Sequence, residues 1–146
     1  MNRGAPLALL VLLFAASVAP AIASGTTPAC PVCGYEFEMT ASDHGDMPVK
    51  YSNVTIHVAE DGDSTWVVQN RIENETTVER FRNYPSELDT RVLTALGDAR
   101  VFDHEVRNVS ASVVGEKRIE IRFEVPNFAE HRSGVLLTQF SSTSLA

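Results

Sequence analysis

The sequence predicts an α+β domain: an antiparallel sheet of four or five strands, in ββαββ order along the chain, with one kinked helix packed on one face. Three observations point there. Two stretches, NVTIHVAEDGDSTWVVQNRIE (53–73) and NVSASVVGEKRIEIRFEV (108–125), alternate apolar and polar residues on either side of a glycine-bearing turn. Between them, TTVERFRNYPSELDTRVLTALG (76–97) switches to helical spacing. Two hairpins and a helix between them bury one apolar face when the helix covers the sheet.

Each element follows in chain order. Residues 1–23 combine Arg3, an apolar run from Leu7 to Val18 and the small-residue pattern Ala21-Ile22-Ala23, the grammar of a secretory signal cut between Ala23 and Ser24. An uncleaved anchor helix is the competing reading, but the apolar run is short of the roughly 20 residues a span needs. Pro20 also interrupts its end. A lipid anchor on Cys30 would want a large aliphatic in Thr27-Pro28-Ala29 and finds none. Residues 24–50 read as a cysteine-containing N-terminal segment, 51–140 as the ββαββ domain and 141–146 as a tail. No later apolar run is long enough to span a membrane.

The first hairpin's register follows from parity. A two-residue loop at Asp61-Gly62 would turn Trp66 to the polar face. A three-residue loop, Glu60-Asp61-Gly62, with Gly62 left-handed, sets Ile56 opposite Trp66 and Val54 opposite Val68. In the helical stretch Val78, Phe81, Leu88, Val92 and Leu96 share a stripe that Gly97 ends, while Pro85 must kink the helix or begin a second one. In the second hairpin a loop at Gly115-Glu116-Lys117 makes Val109, Ala111 and Val113 face Ile119, Ile121 and Phe123. Arg118, Glu120, Arg122 and Glu124 then point to the other side. Residues 135–140 offer a fifth strand.

Charge narrows the partners. Twelve Lys and Arg against nineteen Asp and Glu give a net charge of −7, one unit more negative once Arg3 leaves with the signal. Phosphate binding needs a basic face, so nucleic acid is not an expected partner. Arginine and carboxylates abound while Lys50 and Lys117 are the only lysines, a balance that suits a halophile because high salt screens such a surface.

In this order the cysteine pair Cys30-Pro-Val-Cys33, the Asp43-His44-Gly45 step and the strand TIHVAEDGDSTWVVQNRIE resemble a group of uncharacterised exported haloarchaeal proteins. The similarity spans most of residues 28–140; the cysteine pair and the tryptophan-bearing hairpin are its distinctive parts. It implies a hairpin-helix-hairpin ectodomain at a cell surface, and no activity. Many members of the group continue to a C-terminal membrane helix, where this sequence ends in SSTSLA.

Cys30 and Cys33 are the only cysteines. In an exported chain a local disulfide is the plain expectation. The turn also resembles half of a zinc ribbon, with His44 as a third ligand and Asp43, Asp46, His57 or a second chain supplying a fourth; two chains sharing a four-sulfur site would make a metal-bridged homodimer. A thioredoxin-like redox pair needs a helix opening at the motif within a βαβ setting, whereas Gly34-Tyr35-Glu36-Phe37 reads as strand or loop. His104-Glu105-Val106-Arg107-Asn108 falls short of the zinc-protease motif, and Asp61-Gly62-Asp63-Ser64 lacks the glutamate of a calcium loop. Glu120 and Glu124 alternate with arginines on an exposed face and read as a charge ladder, not an acid–base pair. Asn53, Asn74 and Asn108 each begin an N-glycosylation triplet.

These readings predict an exported, non-enzymatic surface or extracellular domain, a binding or structural module with no cofactor and an unidentified surface partner. A zinc-binding protein built on Cys30, Cys33 and His44 is the alternative, and a thiol oxidoreductase the third.

Overall fold

The structure is a computed structural model and describes residues 30–42, 45–97, 100–101 and 104–138. In chain order it contains α1 (Gly34–Ala41), β1 (Val49–Val58), β2 (Ser64–Ile72), α2 (Glu75–Asn83), α3 (Pro85–Leu96), β3 (Arg100–Val101), β4 (His104–Glu105), β5 (Arg107–Val114), β6 (Arg118–Val125), β7 (Ala129–Arg132) and β8 (Val135–Thr138). An antiparallel four-stranded sheet runs β1-β2-β6-β5, and β3–β4 and β7–β8 form separate two-stranded ribbons.

Alternation decides the layers. In β2 every second residue from Ser64 to Ile72 is buried, and in β6 the same holds for Ile119, Ile121, Phe123 and Val125. The predicted register appears in the first hairpin, with Ile56 paired to Trp66 and Val54 to Val68. Across the next pair Trp66 meets Phe123 and Val68 meets Ile121. Gly115-Glu116-Lys117 is the second loop, setting Val113 against Ile119 and Ala111 against Ile121. A register shift between Arg107 and Ser110 takes Val109 out of the simple ladder, with Asn108 in the left-handed region at φ 52°.

Four expectations need correction. Pro85 does not kink one helix; it opens a second at its first position, where its missing N–H costs nothing. Tyr84 before it leaves helical geometry (φ −130°, ψ 72°) because the proline ring crowds that region. The predicted stripe nevertheless holds across both helices, with Val78, Phe81, Leu88, Val92 and Leu96 all buried. Second, the strand at 135–138 pairs with Ala129–Arg132 and not with the main sheet; residues 139–140 lie outside the described ones. Third, Gly34–Ala41 is helix, not strand or loop. Fourth, the cysteine segment is no appendage to a domain starting at 51: Val32, Phe37 and Met47 are wholly buried in the same core as Trp66 and Phe81.

That core lies between the inner sheet face and the helices. Trp66 stacks on Phe123 with ring centroids 5.6 Å apart and takes the edge of Phe128 at 5.5 Å, while its indole N–H donates to Ser64 Oγ at 3.0 Å.

Candidate functional site

The residues 30–34 form a tight turn. Cys33 N–H donates to the Cys30 carbonyl at 3.2 Å, with Pro31 in the position its fixed φ prefers. Gly34 follows at φ 51°, and Cys33 is the N-cap of α1, its carbonyl accepting from Phe37 N–H at 3.2 Å. The two Cα atoms lie 5.4 Å apart with the sulfurs at bonding distance, within the span a disulfide bridges. Cys30 is 6% exposed; Cys33 is half-buried.

The backbone on both sides of Cys33 is held from the sheet. Asn70, wholly buried on β2, donates its side-chain N–H to the Val32 carbonyl at 2.8 Å. Gly34 N–H donates to Ser52 Oγ at 2.7 Å, and that hydroxyl donates in turn to Asn70 Oδ1. Burial of an amide is expensive unless both ends are satisfied. Here both are, so the turn keeps its shape through hydrogen bonds that do not depend on the sulfurs.

A second cluster fastens the loop after α1 to the helices. Asp46 accepts a two-pronged pair from Arg91, Nη1 to Oδ1 at 2.9 Å and Nη2 to Oδ2 at 3.0 Å, and a further bond from Arg80. Glu87 accepts from Arg91 Nη2 at 3.0 Å and forms an ion pair with Arg80, whose Nε lies 3.1 Å away without hydrogen-bond alignment, so two cations and two anions balance. Burial alone would pull the Arg91 guanidinium down, but hydrogen bonds and charge from Asp46 and then Glu87 outweigh it and hold it above its ordinary value. The Asp46 carbonyl also receives Thr77 Oγ1 at 2.6 Å and Asn74 Nδ2 at 3.3 Å.

The candidate ligands divide accordingly. Asp43 and His44 lie outside the described residues, as do Ala23 and Ser24. Asp46 is engaged by two arginines. His57 points from the outer face of β1, opposite to the face on which the cysteines pack, because strand neighbours alternate sides. Among the described residues no three His, Cys, Asp or Glu side chains converge as a metal site. Asp61 and Asp63 are absorbed by the turn: Asp61 Oδ1 accepts from Asp63 N–H at 3.1 Å, and Asp63 Oδ1 accepts from Asn127 N–H at 2.8 Å. His104 and Glu105 are strand, not a zinc-binding helix.

Glu120 sits in the predicted ladder. A hydrogen bond from Gln69 at 2.8 Å lowers its carboxyl below the ordinary value; partial burial opposes this, and Arg122 and then Arg118 add to the lowering. Glu124 accepts from Asn108 at 2.6 Å. An open groove of about 770 Å³ between α2 and the β5–β6 loop is lined by Glu75, Arg82, Tyr84 and Lys117. Its cations are already engaged, Lys117 by Glu75 and Arg82 by Glu79 and the Gly115 carbonyl.

The three glycosylation triplets differ in standing. Asn53 is exposed on β1, and Asn108 is exposed at the bulge. Asn74 instead caps α2, its Oδ1 accepting from Thr76 N–H at 3.0 Å and Thr77 N–H at 3.3 Å, so a sugar on its nitrogen would displace the bond to Asp46. Sequence reasoning passed over Asn70, Ser52, Arg80 and Arg91. Only Asn70 carried a signal, as a polar residue on the buried parity of β2.

Among the described residues no helix is long and apolar enough to cross a membrane. No family model, no curated protein and no solved structure matches this chain.

Proposed function

We propose that the chain is an exported, non-enzymatic module of a haloarchaeal cell surface or its surroundings, starting at Ser24, with Cys30 and Cys33 as a disulfide staple and no cofactor. The observation that carries this reading is the hydrogen-bonded cradle of Asn70 and Ser52 on either side of Cys33. A turn anchored this firmly suits a fixed structural element better than a ligand loop that closes on a metal. The acidic groups described above work in the same direction, since turns, a helix clamp and a charge ladder account for them.

One observation favours a second reading, thiol–disulfide exchange. Cys33 caps a helix N-terminus and is the more accessible of the pair, and amides aimed at a sulfur stabilise its thiolate. Zinc held by Cys30, Cys33 and His44 is the third.

Intact mass of the mature protein, sprayed natively and denatured with and without reductant, separates them. The staple reading expects a chain starting at Ser24, two hydrogens lighter before reduction, metal-free, and inert toward test disulfides once reduced. Retained zinc or catalytic turnover of a test disulfide would overturn it. Reduction should cost at most about 2 kcal/mol, because so small a loop restrains the unfolded chain little; denaturant unfolding with and without reductant reads that difference.

A further inference from the structure

The two edge strands of the main sheet each carry a register shift and a helix packed against them, and they differ in the length of regular strand that remains. The β5 edge carries the bulge at Asn108, and α3 packs against it, Val92 and Leu93 lying beside Val109 and Ala111. Bulges and covering helices are how sheets keep open edges from pairing. The β1 edge also has a register shift, between Val49 and Tyr51, and α1 packs against the strand, but beyond the shift Tyr51 to Val58 runs in unbroken register with β2. Those eight residues, YSNVTIHV, contain no proline, glycine, lysine, arginine or carboxylate.

The direction of its free amides follows from the turn. Ala59 N–H donates to the Asp63 carbonyl at 2.8 Å, which makes that pair a hydrogen-bonded one. Antiparallel pairs alternate, so His57, Thr55, Asn53 and Tyr51 bond to β2, and Ser52, Val54, Ile56 and Val58 turn their N–H and C=O groups outward. The side chains on this rim are correspondingly half-covered. Val54 and Ile56 stay partly exposed although their partners Val68 and Trp66 are fully buried. Among the described residues eight large apolar side chains are exposed, and four of them, Tyr35, Met39, Tyr51 and Val58, ride on β1 or on α1, which packs against it.

We propose that this edge pairs with the same edge of a second copy, antiparallel about a two-fold axis at Thr55, making one continuous eight-stranded sheet. Charge sets the register. Lys50 lies before the apolar stretch, in the register shift, and Glu60 after it, in the turn that follows β1, and an axis at Thr55 brings the Lys50 end of each copy to the Glu60 end of the other, within reach of a long lysine side chain. The same axis sets Val54 opposite Ile56 and Ser52 opposite Val58, so outward amides meet outward amides. Moving the axis one residue either way preserves the amides but puts Lys50 against Val58 or Gly62. Moving it half a residue sets outward amides against groups already bonded to β2. Lys50 is exposed and has only a long contact of 3.8 Å to Glu73 within its own chain, which leaves it available.

The geometry makes a sharp test. Thr55 would face its own copy in a non-hydrogen-bonded pair with Cα atoms about 4.5 Å apart, close enough for a disulfide. Thr55→Cys should therefore form a covalent dimer under mild oxidant, above the background of the unsubstituted chain. Asn53→Cys and His57→Cys should each stay uncrosslinked alone and crosslink when mixed. By sedimentation, Lys50→Glu and Glu60→Lys should each weaken the dimer by about tenfold, as two exposed pairs turn repulsive, and the double swap should restore it. Trp66 fluorescence checks that each variant is folded. A chain that sediments as a monomer at every concentration, including one whose edge captures an extended peptide instead, overturns the proposal, as does a Thr55→Cys variant that does not crosslink.

Discussion

A methyl group added at Gly62 would sit 2.2 Å from the Ala129 carbonyl oxygen, and the residue's φ of 92° is one that side-chain-bearing residues rarely adopt. Both constraints come from one piece of architecture. Gly62 lies in the β1–β2 turn, donating to Ala59 at 3.0 Å, and its carbonyl receives Ala129 N–H at 2.9 Å, so the turn and the segment after β6 are laced together. Gly134 in the β7–β8 turn has a similar φ, 81°, but open space around it. Gly62→Ala should therefore lower stability by about 3 kcal/mol, combining left-handed strain with a backbone collision, and Gly134→Ala by only about 1 kcal/mol. Urea unfolding followed by the fluorescence of Trp66, the sole tryptophan, measures both. Equal midpoints would mean that the Gly62–Ala129 lacing contributes nothing.

Elements that repeat a pattern over several turns or pairs were legible in the sequence. The hairpin register was readable because one residue of slip would have turned Trp66 out of the core, and the stripe from Val78 to Leu96 was readable across Pro85 because five apolar residues kept helical spacing. The helix α1 was not. It has two turns, buries only Phe37 and Ala41, and exposes Tyr35 and Met39 on its other side, so no apolar face stands out and tertiary anchoring supplies its helicity. The Asp46 cluster was equally hidden, since its partners lie 34 and 45 residues away and only the docking of α1, α2 and α3 brings them together. That docking gives a prediction for the elements concerned. Asp46→Ala would leave Arg91, 13% exposed, without its two-pronged partner, and should cost about 2–3 kcal/mol. Glu130→Ala, which breaks a fully surface-exposed pair with Arg132, should cost less than about 0.5 kcal/mol. Amide exchange of residues 34–41 should quicken in the first variant and not in the second; unchanged exchange in both would separate α1 from the clamp.

Across the whole molecule, acidification acts on two terms of opposite sign. The chain carries nineteen carboxylates against twelve cations, and protonating some of them relieves long-range repulsion, which favours the compact state. Against this stand carboxylates held low in the fold. Glu120 titrates below its ordinary value in the native chain because of Gln69 and the ladder arginines. Its stabilisation is therefore complete above the unfolded value and is lost as pH falls through the lower folded one. Arg91, held above its ordinary value, moves the other way and would lose its contribution only in strong alkali, outside any practical range. Salt distinguishes the two effects: at 1 M the screening length is about 3 Å, which removes repulsion between distant charges but leaves a hydrogen-bonded contact largely intact. Urea midpoints should be level between pH 8 and 5 and decline below about pH 4.5. The decline should be steeper in 1 M salt than in dilute buffer, because relief of repulsion no longer offsets it. Glu120→Gln should flatten that decline while costing at most about 1 kcal/mol at neutral pH. A decline that is steeper in dilute buffer would mean that the acid response comes from the general field of an acidic surface and not from the paired carboxylates of the open sheet face.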